Sequence, residues 1–89
     1  MNKILNISNY KFVPLPDAEE LRPLLLERCL SRELKGTILL ASEGINLFLA
    51  GAAEAVRGFV SELHTDPRFS DIKPKESWSD EPPFKKMLV

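Results

Sequence analysis

Two β-prone apolar runs, residues 37–41 and 45–50, are separated only by Ser42-Glu43-Gly44. So short a joint turns the chain straight back on itself, because a parallel partner needs a crossover of about a dozen residues or more. An antiparallel hairpin therefore sits at the middle of the chain, and its flanks are nearly symmetric. Upstream, Leu21, Leu24, Leu25 and Cys29 recur at helical spacing after a strand-like run at 4–13. Downstream, Val56, Phe59, Val60 and Leu63 form a second helical stripe within 52–64, followed by a strand-like run at 69–77. The order β-α-β-β-α-β predicts an α+β, ferredoxin-like fold, with two helices on one face of a four-stranded antiparallel sheet.

Local signals set the boundaries. Leu5 and Ile7 share one side of the first strand and Tyr10 and Phe12 the other, so a bulge or twist is expected near Ser8-Asn9. Pro14 and Pro16 end that strand. Asp17 reads as a helix N-cap, with Glu20 completing a capping box, and the helix should end near Glu33. Pro23 distorts the first turn or delays the helix start. Gly44 is expected to supply a positive φ to the hairpin turn. Asp66-Pro67 stops the second helix, and Pro74 makes the last strand an edge strand. Residues 1–78 are read as the ferredoxin-like domain. Residues 79–89, with Pro82-Pro83, are read as a linker and the start of a truncated following element.

Composition enters as a set of exclusions. A chain of 89 residues has room for one core, which excludes a cleft between two domains. Twelve Lys and Arg against 13 Asp and Glu exclude a strongly basic nucleic-acid module, though not a local basic patch. One cysteine and one histidine make neither a disulfide nor a zinc site, so no metal and no cofactor are expected. Polar residues interrupt the N-terminus, and no apolar run nears the ~18–20 residues that span a bilayer. The expected location is the cytoplasm. Cys29 lies on an apolar stripe and reads as a core residue, with no histidine near it in sequence. His64 falls in the last helical turn, where it complements the helix dipole.

Candidate contacts lie elsewhere. At the hairpin turn, either Ser42 and Asn46 hydrogen-bond nearby backbone, or Glu43 and Asn46 project toward a ligand or partner domain. Phe48 alternates against Ile45, Leu47 and Leu49, so one of these sets faces away from the helices as a stacking surface or an interface. A single aromatic favours the interface. Lys73, Lys75, Lys85 and Lys86 are offset by Asp71, Glu76, Asp80 and Glu81. That balance reads as a mixed-charge surface, with RNA-backbone contact as the alternative, since alternation puts Lys73 and Lys75 on one face. Known activities of the fold fare poorly. Acylphosphatases resemble one another in a Gly-rich N-terminal loop with a phosphate-binding arginine, and residues 8–12 have neither. Residues 45–50 lack the Lys/Arg-Gly-aromatic pattern of RNA-recognition motifs. The paired cysteines of metal carriers are absent.

Several segments together resemble one family. Tyr10-Lys11-Phe12-Val13-Pro14-Leu15 is similar to its opening strand. Residues 34–41 with Ser42-Glu43-Gly44-Ile45-Asn46 are similar to its hairpin, and Lys75-Glu76-Ser77 with Pro83-Phe84-Lys85-Lys86 to its last strand and linker. The family is that of the rhodanese-related tRNA uridine hydroxylases, also described as rhodanese-like sulfurtransferases, and the likeness is to their N-terminal domain. Leu47-Phe48 departs from the family's usual Gly-Thr. The resemblance implies a parent protein whose following rhodanese domain holds the catalytic cysteine. It implies oxygen-dependent hydroxylation of the wobble uridine of tRNA. This chain would then be an accessory domain that orients the rhodanese domain and helps contact tRNA, with Glu43, Asn46, Phe48, Lys73, Lys75, Lys85 and Lys86 as the candidates for tRNA or the domain interface. The alternative is a free-standing interaction module that binds a partner by an exposed sheet edge.

Overall fold

In the computed structural model, which describes residues 3–89, seven elements follow one another. They are β1 (Ile4–Phe12), α1 (Ala18–Ser31), β2 (Lys35–Ala41), β3 (Gly44–Ala52), α2 (Ala53–Leu63), β4 (Lys75–Ser79) and β5 (Met87–Leu88). The sheet order is β4-β1-β3-β2-β5. The α+β architecture with two helices is as expected, but the four-stranded antiparallel sheet is corrected to a mixed sheet of five. Met87 and Leu88 pair in parallel with Gly36 and Thr37 of β2.

Strict alternation governs β1. Its pairing with β3 runs from Ile4 opposite Ala52 to Phe12 opposite Gly44 with no residue skipped. The expected bulge is absent, because odd and even positions already lie on opposite faces. Leu5 and Ile7 join the core from one face, while Tyr10 and Phe12 stand exposed on the other. The core lies between that inner face and the helices. Ile45, Leu47 and Leu49 of β3 meet Val56, Phe59 and Leu63 of α2 there. Each of these side chains, fully buried, contributes about 1.5–3 kcal/mol.

The last strand begins later than expected, at Lys75, and residues 64–71 form turns. Phe69 and Ile72 are buried all the same. They plug the core from a loop, which explains why the apolar pattern alone resembled a strand.

Both helix ends differ from simple expectation. Asp17 stands at the N-cap of α1 without a side-chain capping bond, so the capping box does not form. Its carboxylate instead takes a bidentate pair of hydrogen bonds from Arg68, at 2.5 and 3.2 Å. Pro23 lies inside α1 and offers no N–H to its ladder. At the other end, Glu33 adopts φ 56°. The Glu33 N–H donates to Leu30 O and the Leu34 N–H to Cys29 O. These two bonds form a Schellman motif with a glutamate in the left-handed position that usually takes glycine.

Gly44 has no positive φ; among the described glycines only Gly36 does, at 134°. Gly44 is needed for a different reason. A Cβ there would stand 2.3 Å from the Lys11 carbonyl oxygen, so glycine lets β1 close onto the hairpin.

Candidate interaction face

The strand register decides what the helix-free face presents. Reading across β2, β3 and β1, one row is Leu39, Asn46 and Tyr10. The next row is Thr37, Phe48 and Ser8, extended by Lys75 of β4. A third holds Lys35, Ala50, Asn6 and Ser77. Phe12 stands at the hairpin end of β1, opposite Gly44.

Five large apolar side chains on this face meet solvent: Tyr10 at 54% exposure, Phe12 at 75%, Leu39 at 57%, Phe48 at 40% and, on β5 beside Thr37, Leu88 at 59%. The Tyr10 and Phe12 rings pack edge to face, with centroids 4.7 Å apart. Phe48 sits opposite Ser8, diagonal to Tyr10, within the ~7–8 Å reach of a diagonal pair. The face therefore carries three aromatics. The sequence suggested only Phe48, because an aromatic on one strand does not announce its neighbours on another.

Residues 80–86 reach from β4 at one edge of the sheet to β5 at the other. Pro83 and Phe84 flank a groove of about 410 Å³ with Asn6, Ser8, Phe48 and Ser77 on the helix-free face. The Gly36 N–H then donates to Lys86 O at 2.9 Å, and Lys35 Nζ reaches Lys85 O at 3.4 Å. Lys85 and Lys86 are thus brought beside Lys35, a residue far from them in sequence. Lys75 lies across the sheet, on the outward face of β4. Lys73 precedes the strand, is exposed, and is not brought to the others.

The apparent charge balance of the C-terminal segment does not hold locally. Asp71 pairs with Lys11 and Glu76 with Arg57. Among the described residues, Lys35, Lys75, Lys85 and Lys86 form no ion pair. Glu43 is exposed at the turn, where its carbonyl accepts from the Val13 N–H and that of Ser42 from the Leu15 N–H. Asn46, Tyr10, Leu39 and Glu43 surround a small hollow beside the turn.

Several chemically capable groups are engaged by the fold. Cys29 is fully buried, and burial pushes its thiol up to about 12, so no thiolate is available near neutral pH. His64 Nε2 donates to Ile72 O at 2.8 Å and fastens the loop after α2. In the β1–α1 connection, the Val13 and Leu15 N–H groups are spent on the hairpin turn, and Pro14 and Pro16 have none. That connection has no free N–H between 13 and 16 with which to cradle a phosphate. Arg68 is held by Asp17 and Asp66, whose carboxyls its hydrogen bonds keep below the usual carboxylate range. Among the described residues no cluster of metal-ligating side chains occurs, and no helix is long and apolar enough to cross a membrane.

Known proteins resemble this chain closely. It is 65% identical over 89 residues to a tRNA uridine(34) hydroxylase of Delftia acidovorans, covering 100% of this chain and 34% of that protein. It is 64% identical over 87 residues to the tRNA uridine(34) hydroxylase of Cupriavidus taiwanensis, covering 98% of this chain and 31% of the relative. The chain thus spans about a third of the length of these relatives. Among solved structures, BlrP1 BLUF superposes with a TM-score of 0.74 at 18% identity, over 100% of this chain and 66% of that one, a likeness of fold alone. The model of the UPF0176 acylphosphatase like domain matches residues 4–89, so the chain belongs to that domain family.

Proposed function

We propose that this chain is the N-terminal accessory domain of a rhodanese-like tRNA-modifying enzyme. The parent hydroxylates the wobble uridine of tRNA in an oxygen-dependent reaction. Its rhodanese domain supplies the catalytic cysteine, and the present domain orients that domain and contacts tRNA. One observation carries the reading: whole-length similarity, at 65% identity, to a protein named tRNA uridine(34) hydroxylase that is about three times as long. The buried, protonated state of Cys29 agrees with a catalytic cysteine located elsewhere in the parent. The unpaired lysines Lys75, Lys85 and Lys86, with Lys35, are the groups offered to phosphates, and Glu43, Asn46 and Phe48 to the tRNA or the neighbouring domain. The cytoplasm, where tRNA resides, is the proposed location. A free-standing module that docks by a sheet edge has less support, because β5 occupies the Gly36–Thr37 end of β2 and the opposite edge strand has only five residues.

The test is made in a strain lacking the parent gene. Full-length parent should restore hydroxylated wobble uridine, read by mass spectrometry of tRNA nucleosides, and a version lacking residues 1–89 should not. Full modification by the shortened protein would overturn the accessory role. No modification by either would overturn the assignment of the activity.

A further inference from the structure

The helix-free face has a composition unlike the rest of the molecule. Its outward register positions on β1–β4 carry three aromatics, several neutral hydrogen-bonding side chains, and two charged groups, Lys35 and Lys75. No carboxylate occupies any of these positions, although acids outnumber bases in the chain, 13 to 12. The aromatics and lysines are also ordered. Phe12 and Tyr10 occupy the hairpin end, Phe48 and Lys75 share the row with Ser8 and Thr37, and Lys35 stands one row further from the turn, with Lys85 and Lys86 next to it. Successive rows are about 7 Å apart, two residues along a strand. That is the spacing of stacked-out nucleotides on a sheet whose aromatics hold bases and whose rim holds phosphates.

We infer that this face is a platform for unpaired RNA: bases stack on Tyr10, Phe12 and Phe48, Asn46 reads a base edge between them, and Lys35 and Lys75 neutralise backbone phosphates. The inference deepens the tRNA contact proposed above and rests on that reading for the identity of the RNA. One feature favours RNA over a protein domain. The two charges that the strands themselves place on the face, Lys35 and Lys75, both have the sign that a phosphate backbone complements. The aromatics are half exposed or more, except Phe48 at 40%, so a base reaches them without any rearrangement of the core.

The 89-residue chain has its own closed core and is tested as it stands, by fluorescence titration against an anticodon-type stem-loop RNA, an unstructured oligonucleotide and a blunt duplex. The RNAs with unpaired bases should bind, and the duplex more weakly. Replacing both Tyr10→Ala and Phe12→Ala, on the surface, should weaken binding roughly tenfold or more. Replacing both Lys35→Gln and Lys75→Gln should flatten the salt dependence of log K by about 1.4. Equal binding of the duplex, or unchanged binding by the aromatic variant, would overturn the platform. The same aromatic variant is placed in the full-length parent. If it abolishes wobble hydroxylation while the isolated chain binds no RNA, the face seats a protein domain and the inference fails, although the enzymatic reading stands. If the parent modifies no tRNA yet the chain binds unpaired RNA through this face, the enzymatic reading fails and the platform stands.

Discussion

At the scale of single residues, glycine marks where backbones touch. Gly36 combines φ 134° with a position at which a Cβ would stand 1.9 Å from the Phe48 carbonyl oxygen. Gly36→Ala cannot be absorbed by a side-chain shift, because the obstacle is main chain. It should cost about 3 kcal/mol or more, read as a lowered urea midpoint with unchanged slope. Gly44 shows how far such a residue can be read from sequence alone. Its presence in a tight turn was legible, but its reason was not, because the obstructing oxygen belongs to Lys11, 33 positions earlier. Cys29 was legible outright, since helical spacing from Leu25 suffices to bury it. Its thiol should resist alkylation in the folded protein and react only at the rate of unfolding. Rapid modification under native conditions would contradict a protonated, buried thiol.

At the scale of elements, α1 is secured at both ends by devices that the sequence hid. Its C-terminus turns through Glu33 in the left-handed region, at a conformational cost that glycine avoids. Glu33→Gly should therefore stabilise the domain by about 0.5–1 kcal/mol, seen as a rise in Tm. Its N-terminus is tied to the loop after α2 by Arg68, which bonds both Asp17 and Asp66. Both carboxyls titrate below their unfolded values, so the unfolded chain takes up protons first as the pH falls. The stabilisation is complete above the unfolded carboxylate pKa of about 3.9 and is lost as the pH drops through the lower folded values. Arg68→Met should flatten the fall in stability below about pH 4, measured by denaturant midpoints on either side of it. Asp71, held down by Lys11, is untouched by the substitution and leaves a residual slope. Asp17 and Glu20 in a capping-box pattern were a fair local reading. A partner 51 residues away captured the carboxylate instead, and no local window contains that information.

At the scale of the whole molecule, the helix–strand order was legible because each element announces its own periodicity. The fifth strand was not. Two residues, Met87 and Leu88, carry no period, and the bond that places them, from Gly36 to Lys86, spans half the chain. The same return brought Lys85 and Lys86 to Lys35 and made a cluster of what looked like separate surface charges. Removing residues 80–89 should strip the β2 edge of its partner and unpack Met87 and Val89 from the core. The shortened chain should lose about 2 kcal/mol, or ~10 °C in Tm, and should self-associate with rising concentration in light scattering. A monomer with unchanged Tm would show β5 to be dispensable.

The late position of β5 also has a meaning in time. Everything else in the sheet has been synthesised by Ser79, and nine further residues complete the return to β2. At 5–20 residues per second, a ribosome adds them in roughly 0.5–2 s. Until Met87 and Leu88 dock, the Gly36–Thr37 end of β2 offers unpaired backbone groups to neighbouring chains.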